Sequence, residues 1–317
     1  MRSGRPPLFP GALWGLTAVF IWGGWWVLTR SSVTGSLHST DLAALRFGVA
    51  GLIMLPQVLR HRASIAMVPK PLILFMVMGA GAPYALVAAL GLKFATAGNG
   101  GALGTGLLPL AVTLLSALFL GEHAGRERYV GLAAIVVGAA LIANIQHWSW
   151  HTHQTFIAPV LFFCSATMWA GFTLAMRRSG LTAMAATATV CVLSCAAYLP
   201  VYVLFLPHDA LTAAPTSALA TQAVYQGVLT SFAALFCFSQ SVIHLGSARA
   251  AVFPALIPVA ASCLGAVVLK EVPSGMEIAG VVLISLGAWR ASTAASPLRE
   301  AVVSTSVPSF STLGANR

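Results

Sequence analysis

Apolar stretches long enough to cross a lipid bilayer follow one another from residue 10 to residue 292, with only short polar connections between them. A helix needs about 20 mostly apolar residues to span a hydrocarbon core of roughly 30 Å. Only 8% of the residues are charged, whereas a typical soluble domain has about 25%. The sequence therefore predicts a polytopic membrane protein without a soluble domain.

Helices are the only elements that fit these stretches. Lipid offers no partner to unpaired backbone N–H and C=O groups, and the stretches are much longer than the strands of a membrane β-barrel. We predict an all-α fold with ten transmembrane helices. The predicted spans are residues 10–29, 41–59, 71–91, 97–120, 128–145, 156–176, 183–206, 219–243, 248–269 and 275–292.

The positive charges predict the orientation of the spans. With a cytoplasmic N terminus, thirteen of the 17 Lys and Arg residues fall on the cytoplasmic side, and only Arg30, Lys93 and Lys270 fall on the other. Cytoplasmic loops carry an excess of Lys and Arg, so we expect both termini on the cytoplasmic face of an inner cell membrane. The net charge of +10 matches a surface beside anionic lipid and requires no nucleic-acid partner.

Residues 109–138 and 258–287 are two copies of one pattern. Aligned without a gap at a shift of 149, they share nine residues of thirty. The most informative identities are Pro109/Pro258, Glu122/Glu271, Gly131/Gly280 and Gly138/Gly287. A second match, at a shift of 147, pairs Trp22 with Trp169 and Arg30 with Arg177.

The duplication predicts two five-helix repeats, residues 1–150 and 151–295, followed by a disordered cytoplasmic tail, residues 296–317. Because five is an odd number, the second repeat enters the membrane from the opposite side. Inverted repeats underlie many secondary transporters, whose halves rock about a site near the midplane. The architecture therefore predicts transport by alternating access.

The spacing within the two copies resembles the EamA-like repeat of the drug/metabolite transporter superfamily. Proline and glutamate are thirteen positions apart in both copies, and glycines follow nine and sixteen positions after the glutamate. Trp22-Gly23 in span one and Leu45-Arg46-Phe47 in span two fit the same family. The resemblance implies a ten-helix exporter or exchanger of small metabolites, often amino acids, with a cavity between the halves.

Arg46 and Arg249 are candidate ligands for a substrate carboxylate. Arg46 lies inside span two, where a charged side chain costs about 2.5–3.5 kcal/mol on insertion scales. Either it binds an anionic group of the substrate, or it snorkels to the external interface beside Asp41. Arg249 stands where the first repeat has Gly100, and its alternative role is that of a cytoplasmic anchor.

Span eight carries four polar side chains that an α-helix would place on one face. At 100° per residue, Gln222, Gln226, Gln240 and His244 fall within about 40° of one another. Such a face either lines a cavity for a polar or zwitterionic ligand or hydrogen-bonds a neighbouring helix. In span three, the equivalent face offers chiefly Tyr84.

Asn99, Trp22 and Trp169 complete the predicted binding set. Asn99 stands in the glycine-rich start of span four, where helix packing through Gly100 and Gly104 is the alternative role. Trp22 and Trp169, which the repeat pairs, would contact the apolar part of a substrate. Tryptophan is also common at membrane interfaces without any ligand.

Enzymatic and metal chemistry have little support. A membrane-embedded enzyme acting on lipid-linked substrates, the alternative class, needs clustered acids, histidines or a nucleophile–base pair, and none is found. His147, His151 and His153 lack a neighbouring cysteine or carboxylate for a metal site. We predict no catalytic residue, no metal and no cofactor. A non-transporting scaffold would leave the duplication unexplained.

The predicted function is export of a small amphipathic metabolite, such as an amino acid, a related zwitterion or an organic anion. No Asp or Glu lies well inside a predicted span, which disfavours cationic drugs as substrates. The driving force is left open between a substrate gradient and a proton gradient. His244 is the one candidate group that titrates near neutral pH.

Overall fold

The computed structural model describes residues 8–122, 124–143 and 154–294. All regular structure in these ranges is helical, as predicted. The helices are α1 (Leu8–Thr34), α2 (Ser39–Ala66), α3 (Lys70–Ala80), α4 (Ala82–Gly91), α5 (Ala97–Gly106), α6 (Leu108–Leu120), α7 (Arg126–Ile142), α8 (Gln154–Ser179), α9 (Ala183–Phe205), α10 (Asp209–Ala213), α11 (Thr216–Gln222), α12 (Ala234–Leu245), α13 (Ser247–Ala250), α14 (Ile257–Leu264) and α15 (Gly275–Thr293). Two π-helical segments, Ala223–Ala233 and Gly265–Leu269, and a 3₁₀-helix, Phe253–Leu256, join some of them.

Within the described residues, seven helical segments are long and apolar enough to cross a membrane. They are Phe9–Thr34, Ser39–Ala66, Lys70–Gly91, Ala97–Leu120, Phe156–Ser179, Ala183–Phe205 and Thr216–Leu245. Phe253–Leu269 is a shorter apolar helix. The all-helical, multi-pass membrane fold is therefore confirmed, and the count of ten spans stays a prediction. The predicted tail, residues 296–317, and the loop with His147, His151 and His153 lie outside the described residues.

Three predicted spans are interrupted helices. Breaks lie at Gly81, at Leu107 and before Ile257. Each new helix has proline at its second position, and proline lacks the N–H that would bond the carbonyl four residues earlier. Two of these prolines, Pro109 and Pro258, are aligned by the repeat, so both copies break at the same place.

The eighth predicted span contains a π-helical segment between α11 and α12. Its geometry is visible in the hydroxyls of Thr230 and Ser231, which donate to the carbonyl oxygens five residues earlier. A π-helical turn takes more than the 3.6 residues of an α-helical turn. The angle of 100° per residue that placed Gln226 and Gln240 on one face therefore does not hold through this segment.

The helices run alternately between two ends of the bundle. We call the end where α1 begins the proximal end and the end where α1 finishes, at Thr34, the distal end. Helix α15 begins at the distal end, where Glu277 accepts a hydrogen bond from Asn99 at the start of α5. It finishes at the proximal end, where Arg290 contacts Glu127 at the start of α7.

Helices α7 and α15 pack antiparallel along a seam of glycines. A Cβ atom on Gly131 would lie 2.7 Å from the carbonyl oxygen of Gly287, and one on Gly138 would lie 2.7 Å from that of Gly280. The repeat aligns Gly131 with Gly280 and Gly138 with Gly287, so the contacts exchange equivalent partners. Such an exchange is the signature of a two-fold axis, and the two copies meet here in opposite directions.

Candidate functional site

Arg46 is a buried charge without a polar partner among the described residues. Its side chain on α2 is 8% exposed, and its Nε has no hydrogen-bond acceptor. None of the ion pairs found in the described ranges includes it. Instead its guanidinium carbon lies 5.5 Å from the ring centres of Trp25 and Phe47, within the range of a cation–π interaction.

Asp41 does not neutralise Arg46. Its carboxylate is fully buried and accepts hydrogen bonds from the Tyr202 hydroxyl, at 2.6 Å, and from the backbone N–H of His38, at 2.7 Å. Of the two interpretations of Arg46, snorkelling to the interface beside Asp41 is therefore not what the structure shows.

The indole of Trp25 is held in place from the second half of the chain. Its Nε1–H donates to Oε1 of Gln226 at 2.6 Å. The amide of Gln226 donates in turn to the hydroxyl of Thr29 and to Oε1 of Gln222, and Gln222 donates to the carbonyl oxygen of Leu28. The two glutamines thus hydrogen-bond α1, and through Trp25 they support the ring beneath Arg46.

Tyr84 connects the aromatic rings around Arg46 to Trp169, which lies in the other half of the chain. The ring centres of Tyr84, on α4, and Trp169, on α8, are 5.0 Å apart. Tyr84 lies within electrostatic range of Arg46. We call Trp25, Arg46, Phe47, Tyr84 and Trp169 the arginine–aromatic cluster. It combines one uncompensated positive charge with aromatic surface from both repeats.

The other predicted binding residues lie elsewhere in the bundle. The ring of Trp22 packs against that of Phe238 in a tilted arrangement, with ring centres 5.7 Å apart. Gln240 is half-buried without a hydrogen bond among the described residues, and Arg249 is exposed on α13. His244 packs near Gly11 at the proximal end.

Asn99 lies at the distal end, where its amide donates to Glu277 at 2.6 Å. The neighbouring glycines, Gly100 and Gly104, face the indole ring of Trp26. These two glycines make room for the Trp26 side chain, whereas their spacing predicted a close contact between two helix backbones.

A salt bridge joins the two halves at the distal end. Arg30, near the end of α1, has its Nε 2.9 Å from Oε1 of Glu271, and their side chains are 21% and 18% exposed. Arg30 also donates to the carbonyl oxygen of Leu92, and the backbone N–H of Ala97 donates to Oε2 of Glu271. We call Arg30–Glu271 the distal ion pair. Neither residue was among the predicted binding residues.

A second ion pair joins the halves at the proximal end. Arg177, near the end of α8, has Nη2 3.6 Å from Oε1 of Glu122, and their side chains are 55% and 28% exposed. We call Arg177–Glu122 the proximal ion pair. It is longer and more exposed than the distal ion pair, and no further hydrogen bond from either side chain accompanies it among the described residues. The repeat alignment equates Arg30 with Arg177 and Glu122 with Glu271, but it did not predict that the arginine of one repeat pairs with the glutamate of the other.

Comparison with known proteins agrees with the duplication. A family model described as the EamA-like transporter family matches the chain twice, over residues 9–144 and 156–293. The predicted resemblance and the two copies are thereby confirmed. None of the curated proteins compared with the chain matches it. A crystal structure of another protein, 22% identical, covers 89% of this chain and 96% of its own with a TM-score of 0.61, so the two proteins share a fold.

Proposed function

The chain belongs to the EamA-like transporter family, and we propose that it is a secondary transporter that moves a small amphipathic metabolite by alternating access. The metabolite is an amino acid, a related zwitterion or an organic anion. The charge distribution and the family resemblance support export across an inner membrane, with both termini in the cytoplasm. A substrate gradient or a proton gradient drives the movement.

The observation that carries the proposal is the uncompensated guanidinium of Arg46 between aromatic rings. Removing one partner from a buried ion pair is strongly unfavourable, so a buried arginine without a counter-ion favours the arrival of an anion. A substrate carboxylate would supply the counter-charge and accept charge-assisted hydrogen bonds from the planar guanidinium. The rings of Trp25, Tyr84 and Trp169 would contact the apolar part of the same molecule.

The remaining candidate residues take different roles in this proposal. Gln222 and Gln226 position Trp25, because their amides are already bonded within the protein. Gln240 and His244, without hydrogen bonds among the described residues, are available toward the proximal end. Trp22 and Arg249 would be met by the substrate as it leaves the arginine–aromatic cluster, and Asn99 closes the distal end.

Counterflow in proteoliposomes tests the proposal. Purified protein is reconstituted with unlabelled amino acids or organic anions inside, and uptake of the labelled compounds is followed. We expect exchange of at least one carboxylate-bearing compound. Arg46→Gln should reduce its exchange at least about tenfold, because a hydrogen bond to a charged group contributes about 1.5–3 kcal/mol.

Arg60→Gln is the matched control for charge. Arg60 lies on the same helix and is exposed, so this variant removes one positive charge without touching the arginine–aromatic cluster. It should exchange substrate like the unmodified protein, and Arg46→Gln must elute as a monodisperse protein for the comparison to count. Absence of exchange for every compound in the unmodified protein, or normal exchange in folded Arg46→Gln, would contradict the proposal.

A further inference from the structure

The two cross-half ion pairs are copies of one another in the duplicated chain. Each joins the arginine near the end of the first helix of one repeat to the glutamate after the fourth span of the other repeat. The repeat shifts of 147 and 149 carry Arg30 onto Arg177 and Glu122 onto Glu271. A two-fold operation therefore converts the distal ion pair into the proximal ion pair, with the partners exchanged.

The same local turn presents both glutamates. Gly121 and Lys270, the residues before them, have φ of 65° and 58°. In both turns the glutamate N–H donates to the carbonyl oxygen six residues earlier, that of Ser116 or Gly265, at 3.3 Å. The bond spans one residue more than the 6→1 bond of a Schellman helix end, with which these turns share the left-handed residue. Lys270 adopts a conformation that is uncommon outside glycine, which indicates that the turn is required at both ends.

The two pairs nevertheless differ in how tightly they are formed. At the distal end, Arg30 contacts both Glu271 and the Leu92 carbonyl oxygen, and Glu271 also accepts from Ala97. At the proximal end, Arg177 and Glu122 are 3.6 Å apart and better exposed to solvent. Sequence symmetry combined with structural asymmetry is what one of two exchanging conformations of an inverted repeat should display.

We infer that the two ion pairs are alternating gates for the site between the halves. In the described conformation the distal ion pair is the shorter and less exposed of the two, so we expect this conformation to be the one that opens the site toward the proximal side. In the opposite conformation Arg177 and Glu122 close together and Arg30 separates from Glu271. The inference rests on the proposed alternating-access transport and assigns to it four residues outside the substrate cluster.

Distances between spin labels across each end test the gates. In a background with the five native cysteines replaced by serine, one protein carries labels at Lys93→Cys and Val272→Cys, at the distal end. A second carries them at Ala124→Cys and Ala183→Cys, at the proximal end. Pulsed electron paramagnetic resonance then gives the distance distribution for each end in the full-length protein.

Breaking the distal ion pair should open the distal end. We expect Arg30→Gln, and separately Glu271→Gln, to increase the population with the longer distal distance about fivefold or more, since conformational couplings commonly correspond to 5–150-fold effects. The proximal distances should shorten in the same variants. Glu122→Gln should lengthen the proximal distances and leave the distal end closed.

Arg290→Gln is the matched control. Arg290 and Glu127 also form a cross-half ion pair, at 2.6 Å, but their equivalents in the other repeat are Leu141 and Met276, so this pair has no copy to alternate with. We expect unchanged distributions at both ends. Equal changes of the label distances in Arg290→Gln and Arg30→Gln would contradict the gates. Unchanged distal distances in folded Arg30→Gln and Glu271→Gln would contradict them as well.

The outcomes separate the gates from the transport activity. Normal substrate exchange together with unchanged label distances in every gate variant would support the proposed transport and contradict the gates. Label distances that change in opposite directions at the two ends, without exchange of any compound in proteoliposomes, would support the gates and contradict the proposed transport.

Discussion

Gln226 illustrates how a single polar side chain organises the interior of the bundle. Its oxygen accepts from Trp25, and its nitrogen donates to Thr29 and Gln222. The side chain is 1% exposed. Hydrogen bonds between membrane helices are worth about 0.6–2 kcal/mol each, and here they also fix the ring on which Arg46 rests.

Replacing Gln226 by leucine should destabilise the protein. The buried N–H of Trp25 and the hydroxyl of Thr29 would lose their partner, which costs about 1–3 kcal/mol. Unfolding by denaturant in detergent micelles, followed by far-UV circular dichroism, measures the difference. Gln240→Leu is the control, because Gln240 makes no hydrogen bond in the described part of the chain. Equal losses in the two variants would contradict the role given to Gln226.

Some of these residue contacts could be predicted from the sequence and others could not. The position of Arg46 inside an apolar span made it a candidate directly. Trp25 was not selected, because several tryptophans stand close together in α1 and hydropathy does not distinguish an interfacial ring from one that faces Arg46. Its partner Gln226 is 201 positions away, and no local pattern encodes that contact.

Among the helices, α7 and α15 form an extensive cross-half contact. The glycines of each helix face the backbone of the other, which allows the two axes to approach as in other small-residue interfaces of membrane helices. The predicted spans coincide with these helices. The spacing of the glycines, seven positions apart in both copies, was visible in the sequence, but the partner helix was not.

A methyl group at Gly138 should separate the two helices. The added Cβ of Gly138→Ala would lie 2.7 Å from the carbonyl oxygen of Gly280, and overpacking of this kind costs about 1–3 kcal/mol. Gly171→Ala provides the control within α8, since nothing lies within 4 Å of its added Cβ. It should be neutral or stabilising by about 0.5–1 kcal/mol. Thermal unfolding in micelles should rank the variants in that order, and the reverse order would contradict the seam.

The interruptions of the helices were the least predictable feature. Pro83, Pro109 and Pro258 are plain in the sequence, but transmembrane helices tolerate proline when neighbours satisfy the freed carbonyl groups. The pattern alone therefore does not say whether a helix bends or ends. The π-helical segment Ala223–Ala233 leaves no mark on hydropathy, so the phase of the residues beyond it could not be predicted.

For the molecule as a whole, two copies that run in opposite directions explain most of the architecture. The cross-half contacts made by charged side chains fall at two ends that the duplication relates to each other, with Arg30 and Asn99 at one and Arg177 and Glu127 at the other. The number of crossings and the sidedness follow from charge and length alone, and they remain predictions.

Cysteine labelling tests the sidedness. In the background without native cysteines, Ala124→Cys and Val272→Cys should react with a membrane-impermeant maleimide from opposite sides, because the first follows α6 and the second follows its inverted counterpart. The positive-inside distribution predicts that Val272→Cys reacts in intact cells and Ala124→Cys only after permeabilisation. Reaction of both residues in intact cells, or of neither, would contradict an inverted duplication.

The equivalent helix breaks at Leu107 and before Ile257 are positions where each repeat can bend. Sharp kinks in helices occur mostly at proline, where a backbone hydrogen bond is missing. Each repeat carries this joint in the span that leads to its gate glutamate, Glu122 or Glu271. In the gating motion that we infer, we expect each glutamate to move with the short helix before it, without a tilt of its whole repeat.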